Sequence, residues 1–175
     1  VDQWSVVYAK EVLGLSKEIA KAGFTMFEVG ALSGALIWGG ASDFLKGRRA
    51  LLSMLAFLLI LFVLNIYQTA ANEETFKWSM FALGFLIFGP QLLVCVSAVG
   101  FVPKSAVSVS NGMLGTFAYI LGDSFAKLGL GMMADKKEVL GLSGWEGTFI
   151  VMKTSAILGI LVLFFVAIAE EKKIK

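Results

Sequence analysis

Residues 50–72 read ALLSMLAFLLILFVLNIYQTAAN, without one charged side chain. A helix needs about 20 mainly apolar residues to cross the hydrocarbon core of a bilayer, so this stretch can cross unaided. The same pattern recurs on both sides of it. Residues 78–103 are also uncharged, 22–42 are interrupted only by Glu28, and 147–169 only by Lys153. Residues 105–134 are uncharged through Gly122 and then continue past Asp123 and Lys127. The expectation is an all-α, polytopic membrane protein with spans near 22–42, 50–71, 78–102, 105–134 and 147–169. Residues 1–13 read as the end of a further helix, a stub whose start lies upstream of Val1. No compositional linker divides the chain, so 1–175 is expected to form a single transmembrane domain.

Composition agrees. The chain is 58% hydrophobic and 16% charged, against about 45–50% and about 25% for soluble domains. One soluble core could not hide that much apolar surface, and the remainder must face lipid. A net charge of +2 without a basic helix excludes a nucleic-acid partner. With no His and with Cys95 alone, no metal or haem site is expected and no other cofactor is implied. The chain opens on Val1 without a charged leader and short apolar core, so it shows no signal peptide.

The connectors at 15–21, 43–49, 73–77, 103–105 and 135–146 are short and polar, as backbone leaving the bilayer requires. Lys46, Arg48, Arg49, Lys104, Lys172, Lys173 and Lys175 fall on one side; Lys17, Lys21, Lys77, Lys136 and Lys137 fall on the other. The denser set marks the cytoplasm, which places loop 43–49 and the C-terminal tail inside the cell.

Loop 43–49 carries the first specific motif, Gly39-Gly40-Ala-Ser-Asp43-Phe-Leu-Lys-Gly47-Arg48-Arg49. Small residues allow helix ends to approach, Asp43 can accept hydrogen bonds at a neighbouring helix end, and the arginines hold the turn inside. The run resembles the Gly-x-x-x-Asp…Gly-Arg-Arg loop of the major facilitator superfamily, which makes Asp43, Gly47, Arg48 and Arg49 conformational candidates. Further stretches are similar to the organophosphate:inorganic phosphate antiporters of that superfamily. They are Asp2-Gln3-Trp4-Ser5, Phe88-Gly89-Pro90-Gln91-Leu92-Leu93, Gly100-Phe101-Val102-Pro103-Lys104, Gly122-Asp123-Ser124-Phe125-Ala126-Lys127 and Glu170-Glu171-Lys172-Lys173-Ile174. The resemblance covers essentially the whole chain. It implies the C-terminal six-helix half of a twelve-helix carrier in the bacterial inner membrane, with the first helix truncated. Its partners would be an organic phosphate, inorganic phosphate, membrane lipid and the missing N-terminal half. It is a carrier and not an enzyme.

Within that family, hexose-6-phosphate antiporters carry an acidic and a basic residue three apart where this chain has Asn111 and Leu114. The uncharged pair resembles the phosphoglycerate type. Removing a fixed cation and its neighbouring anion changes which second substrate charge a cavity accepts. Phosphoglycerate or phosphoenolpyruvate is therefore expected ahead of hexose phosphate, with a transporter-like hexose-phosphate sensor and a non-functional gene fragment as further alternatives.

Pro90 removes an N–H in the middle of an apolar span and disturbs the preceding turn, and such breaks mark transporter binding sites. Gln91 could then meet substrate, or simply bond a neighbouring helix. Asp123 and Lys127, four apart, can pair on one helix face. Intramembrane charges are functional candidates, although this pair reads first as structural. On a straight helix its face is well rotated from that of Asn111. Glu28 is a weaker candidate of the same kind. Gly30-Ala-Leu-Ser-Gly34 has small-xxx-small spacing and reads as packing.

The resemblance implies one phosphate-clamping arginine from each half, the second just ahead of Asp2-Gln3-Trp4, upstream of Val1. A bidentate guanidinium is suited to holding a phosphate dianion, and the arginines present are Arg48 and Arg49 of the loop. The 175-residue chain alone should give no phosphate exchange in proteoliposomes; measurable counterflow would show that the clamp is dispensable.

Overall fold

A computed structural model describes residues 2–45, 48–134 and 144–174. They form α1 (Asp2–Glu11), α2 (Lys17–Phe44), α3 (Arg49–Gln68), α4 (Glu73–Gly100), α5 (Val107–Phe117), α6 (Ser124–Ala134) and α7 (Gly144–Ile174). A short 3₁₀ turn, Lys104–Ala106, leads into α5, and a π-helical segment, Ala118–Asp123, joins α5 to α6. No strand occurs among the described residues. Residues 135–143, with Lys136 and Lys137, lie outside them, as do Val1, Lys46, Gly47 and Lys175.

Among the described residues, four helices are long and apolar enough to cross a membrane: α2, α3, α4 and Gly144–Lys172 of α7. They outrun the apolar stretches because polar caps extend them. Ser16 accepts the Ile19 N–H at 3.3 Å and starts α2 at Lys17, a turn ahead of its apolar run. Asn72 does the same for Thr75 at 2.8 Å, and Glu73 and Glu74 follow where the helix dipole favours anions. The stretch 107–134 is helical throughout, but α5 and α6 are each 11 residues long and neither crosses alone.

By internal packing the chain divides into two units, Val1–Val94 with Ser155–Lys175, and Cys95–Thr154. In the first, α2 and α4 approach through glycine. Gly30 and Gly34 lie against the backbone of Phe81 and Phe85, and Gly84 lies against the Phe27 carbonyl. A Cβ at any of the three would overlap backbone, which cannot move aside. This is the close approach that small-xxx-small spacing serves in lipid, where van der Waals packing must do much of what the hydrophobic effect does in water. Phe76, Met80, Leu83 and Leu93 of α4 are fully or nearly fully buried beside this contact. Elsewhere in the unit, Gly159 of α7 faces the Phe57 ring of α3, which a Cβ there would crowd at 3.2 Å.

The outer faces are greasy. Leu36 of α2 is 72% exposed and Phe165 of α7 is 71% exposed. Exposed apolar side chains at this density cannot face water. In the second unit, α5 and the π segment have no buried residue at all.

Replacing Gly34 or Gly84 with Leu should lower the unfolding temperature in detergent by several degrees, as overpacking costs about 1–3 kcal/mol. Gly112→Ala, with open space around its Cβ position, should leave the transition unchanged or raise it slightly, since alanine favours the helix. Equal shifts from all three would show that the glycine contact does not set the spacing of α2 and α4.

Candidate functional site

The loop motif is built at the junction of α2 and α3. Asp43 is exposed in the last turn of α2, and Leu45 caps that helix through its backbone N–H to the Ala41 carbonyl at 3.1 Å. Arg48 occupies the N-cap position of α3, with φ −74° and ψ 65° and no side-chain capping bond. Gly47 lies outside the described residues. The beginning of α3 has an electrostatic problem. Its first turn holds no acidic residue and begins with Arg49, yet helix starts carry unsatisfied N–H groups and a partial positive charge.

The end of α7 solves it. Glu170, only 8% exposed, accepts the Ala50 N–H through Oε2 at 2.9 Å. Next to it, Arg48 Nε meets Glu171 Oε1 at 2.9 Å, with both side chains 47% exposed. These two contacts clasp the tail of α7 to the loop. Beside them a groove of about 380 Å³ runs between α3 and α7, lined by Leu51, Met54, Phe164 and Ile168 among others. Sequence reasoning quoted Glu170-Glu171 for its resemblance and gave it no role. The available signal was the missing acidic cap at the start of α3.

Gln91 lies exposed on α4 immediately after Pro90. The expected break at this proline is absent: α4 runs without interruption from Glu73 to Gly100. Loss of one N–H is tolerated because the remaining turns hold the helix on both sides. The Trp38 indole lies over Gly89, where any Cβ would collide with it, so the Gly-Pro pair serves as a seat for an aromatic ring.

Asn111 is exposed and Leu114 half-buried on α5. Asp123 Oδ2 and Lys127 Nζ pair at 2.5 Å, with side chains 42% and 46% exposed. The rotation expected between the Asn111 face and this pair needs correction. Between them the Ser124 N–H reaches the Tyr119 carbonyl, five residues back, and the Ser124 hydroxyl bonds the same oxygen at 3.2 Å. A π turn holds about one more residue than an α turn. Asp123 therefore stands about 20° from Asn111 around the axis, where an unbroken α-helix would put it about 120° away. Glu28 is exposed on α2, on the face of Leu32 and Leu36. Among the described residues, no group of three or more potential metal ligands comes together.

Three curated proteins bear on what this geometry serves. Over all 175 residues the chain is 57% identical to a hexose-6-phosphate:phosphate antiporter of Salmonella typhimurium and covers 38% of it. It is 31% identical to a glycerol-3-phosphate transporter of Bacillus subtilis, over 93% of the chain and 36% of that protein. The membrane sensor protein UhpC of Escherichia coli is 32% identical over 93% of the chain and 36% of its own length. No protein-family model matches the chain. The chain thus spans well under half the length of these relatives.

The clasp should be unequal in strength. Glu170→Ala leaves a buried N–H without an acceptor and should destabilise the protein by about 1–3 kcal/mol. Arg48→Ala breaks a half-exposed ion pair and should cost about 1 kcal/mol or less. Thermal or denaturant unfolding of the two variants in detergent checks the order; a larger loss from Arg48→Ala would reverse the assignment.

Proposed function

The chain belongs to the organophosphate:phosphate antiporter family, and we propose that the protein of which it forms part exchanges a hexose phosphate for inorganic phosphate. The observation that carries this is 57% identity, maintained over all 175 residues, to a protein named for that exchange. The uncharged pair Asn111 and Leu114 pointed to phosphoglycerate. Similarity along the whole chain outweighs two positions, and the substrate assignment moves to hexose phosphate. Asn111 and Leu114 then adjust selectivity within the family, as a difference between affinities.

The chain supplies the C-terminal half of a two-part cavity in the bacterial inner membrane, and the other half supplies its opposite wall. Alternating access follows from two halves rocking about one central site, with the downhill movement of one anion driving the other across. The site needs to bind and release, with no covalent step. The cytoplasmic placement of loop 43–49 and the tail rests on their basic residues. It is supported by the Arg48–Glu171 contact, which requires both segments to lie at one membrane face. Arg48 and Glu171 would hold the loop while α2 and α3 change tilt. Similarity to the UhpC sensor keeps one other reading open, binding without transport.

Proteoliposomes containing the full-length protein and loaded with inorganic phosphate should take up glucose 6-phosphate about tenfold faster than phosphoglycerate at equal low concentration. The reverse preference would restore the assignment from Asn111 and Leu114. Saturable glucose 6-phosphate binding without counterflow would make the protein a sensor.

A further inference from the structure

The π segment has a consequence for the two charges that follow it. From Asn111, the widened turn places Asp123 about 20° and Lys127 about 60° around the axis; an uninterrupted α-helix would place them at about 120° and 160°. Val109, Met113, Leu128 and Met132 are all exposed. With the π turn counted, all four fall about 160° from Asn111, on either side of the opposite face. Without it, Leu128 and Met132 leave that stripe. One side of the rod carries Val109, Met113, Leu128 and Met132, and the other carries Ser108, Asn111, Gly115, Asp123 and Lys127, with the apolar Val107 and Leu130 among them.

A pair that served only to neutralise two charges in the membrane would work on any protein-covered face. This pair stands on the Asn111 face, and the π turn that puts it there ends at Asp123 itself. Such turns are rare and occur frequently at functional sites. Both side chains are nearly half exposed, so an anion can reach them. Asn111 and Asp123 are about 18 Å apart along the axis, counted at the α-helical rise. That is too far for one hexose phosphate to touch both.

We propose that Lys127 forms a second anion subsite on the Asn111 face, farther from Lys104, which takes the phosphate group of the organic phosphate on its way to or from the central site. Asp123 is its stand-in ligand. With the subsite empty, the carboxylate neutralises the ammonium and keeps it tolerable in the membrane. An arriving phosphate dianion offers more charge and more acceptor oxygens than one carboxylate, and draws Lys127 across to a stronger charge-assisted contact. No bond other than hydrogen bonds is made or broken. The inference rests on the antiporter reading, and names a second place on the route for the same substrate.

Two measurements on the full-length protein test it. The first places single cysteines in a background with Cys95 and every other native cysteine replaced by serine, and treats them with a membrane-impermeant thiol reagent. Gly115→Cys and Lys127→Cys should label, and Val109→Cys and Leu128→Cys should not, in line with the two faces. Glucose 6-phosphate should slow labelling at Lys127→Cys. Labelling of the Leu128 position in place of the Lys127 position would overturn the shared face.

The second is exchange kinetics. Lys127→Gln should raise KM for glucose 6-phosphate about tenfold with kcat within about twofold, and Asp123→Asn should leave KM unchanged or lower it. A purely structural pair predicts the opposite: equal losses of folded protein for the two single variants and recovery in Asp123→Asn/Lys127→Gln. Deleting Ile120 removes the extra residue of the π turn and leaves Lys127 about 60° from Asn111, so substrate protection in the Lys127→Cys protein should survive it; inserting one alanine after Ser124 adds about 100° and should abolish that protection. If the unaltered protein fails to exchange glucose 6-phosphate, the antiporter assignment falls, and the labelling pattern still decides whether the two faces exist.

Discussion

Backbone amides surrounded by hydrocarbon must find partners within their own segment, and everything else about this chain follows from that requirement. It makes the apolar stretches helical and confines the breaks between them to short polar connectors. It also makes helix ends the difficult places, because the first N–H groups of a helix have no partner in its own ladder. Ser16 and Asn72 meet the difficulty locally at the starts of α2 and α4. The start of α3 has no such residue and borrows Glu170 from a helix 120 positions away. An end contact that looks minor is thus required by the medium.

The fold class was legible because it is written in composition and run length, which survive without tertiary information. The run at 50–72 and its neighbours mark α3, α4 and α7 directly. Gly30 and Gly34 could be assigned to packing from spacing alone, and they do lie on the α4 backbone. The helix starts were less legible, since Ser16 and Asn72 add a turn of polar residues that hydropathy discounts. Pro90 was over-interpreted: one missing N–H does not end a 28-residue helix that is intact on both sides.

The candidate site was legible as a set of residues and not as an arrangement. Asp123 and Lys127 stand out in any apolar run, and their pairing follows from the interval of four. Their direction did not follow, because counting at 100° per residue presumes an unbroken α-helix. Six residues of π-helix between Asn111 and the pair defeat that count, and nothing in Ala118-Tyr-Ile-Leu-Gly-Asp123 announces the change. Substrate preference shows the same limit in another form. Two positions suggested phosphoglycerate, while similarity over the whole length favours hexose phosphate.

The Glu170 contact also dictates an order of events during synthesis. A ribosome makes α3 before α7, so the Ala50 amide must wait for its carboxylate while some 120 further residues are translated. Until then the loop after α2 has neither its anion nor the Arg48 partner, and α2 and α3 enter the bilayer as a hairpin with an unfinished tip. Completion of α7 is what seals the first turn of α3, so a nascent chain stalled before α7 would present quality-control proteases with a loose corner.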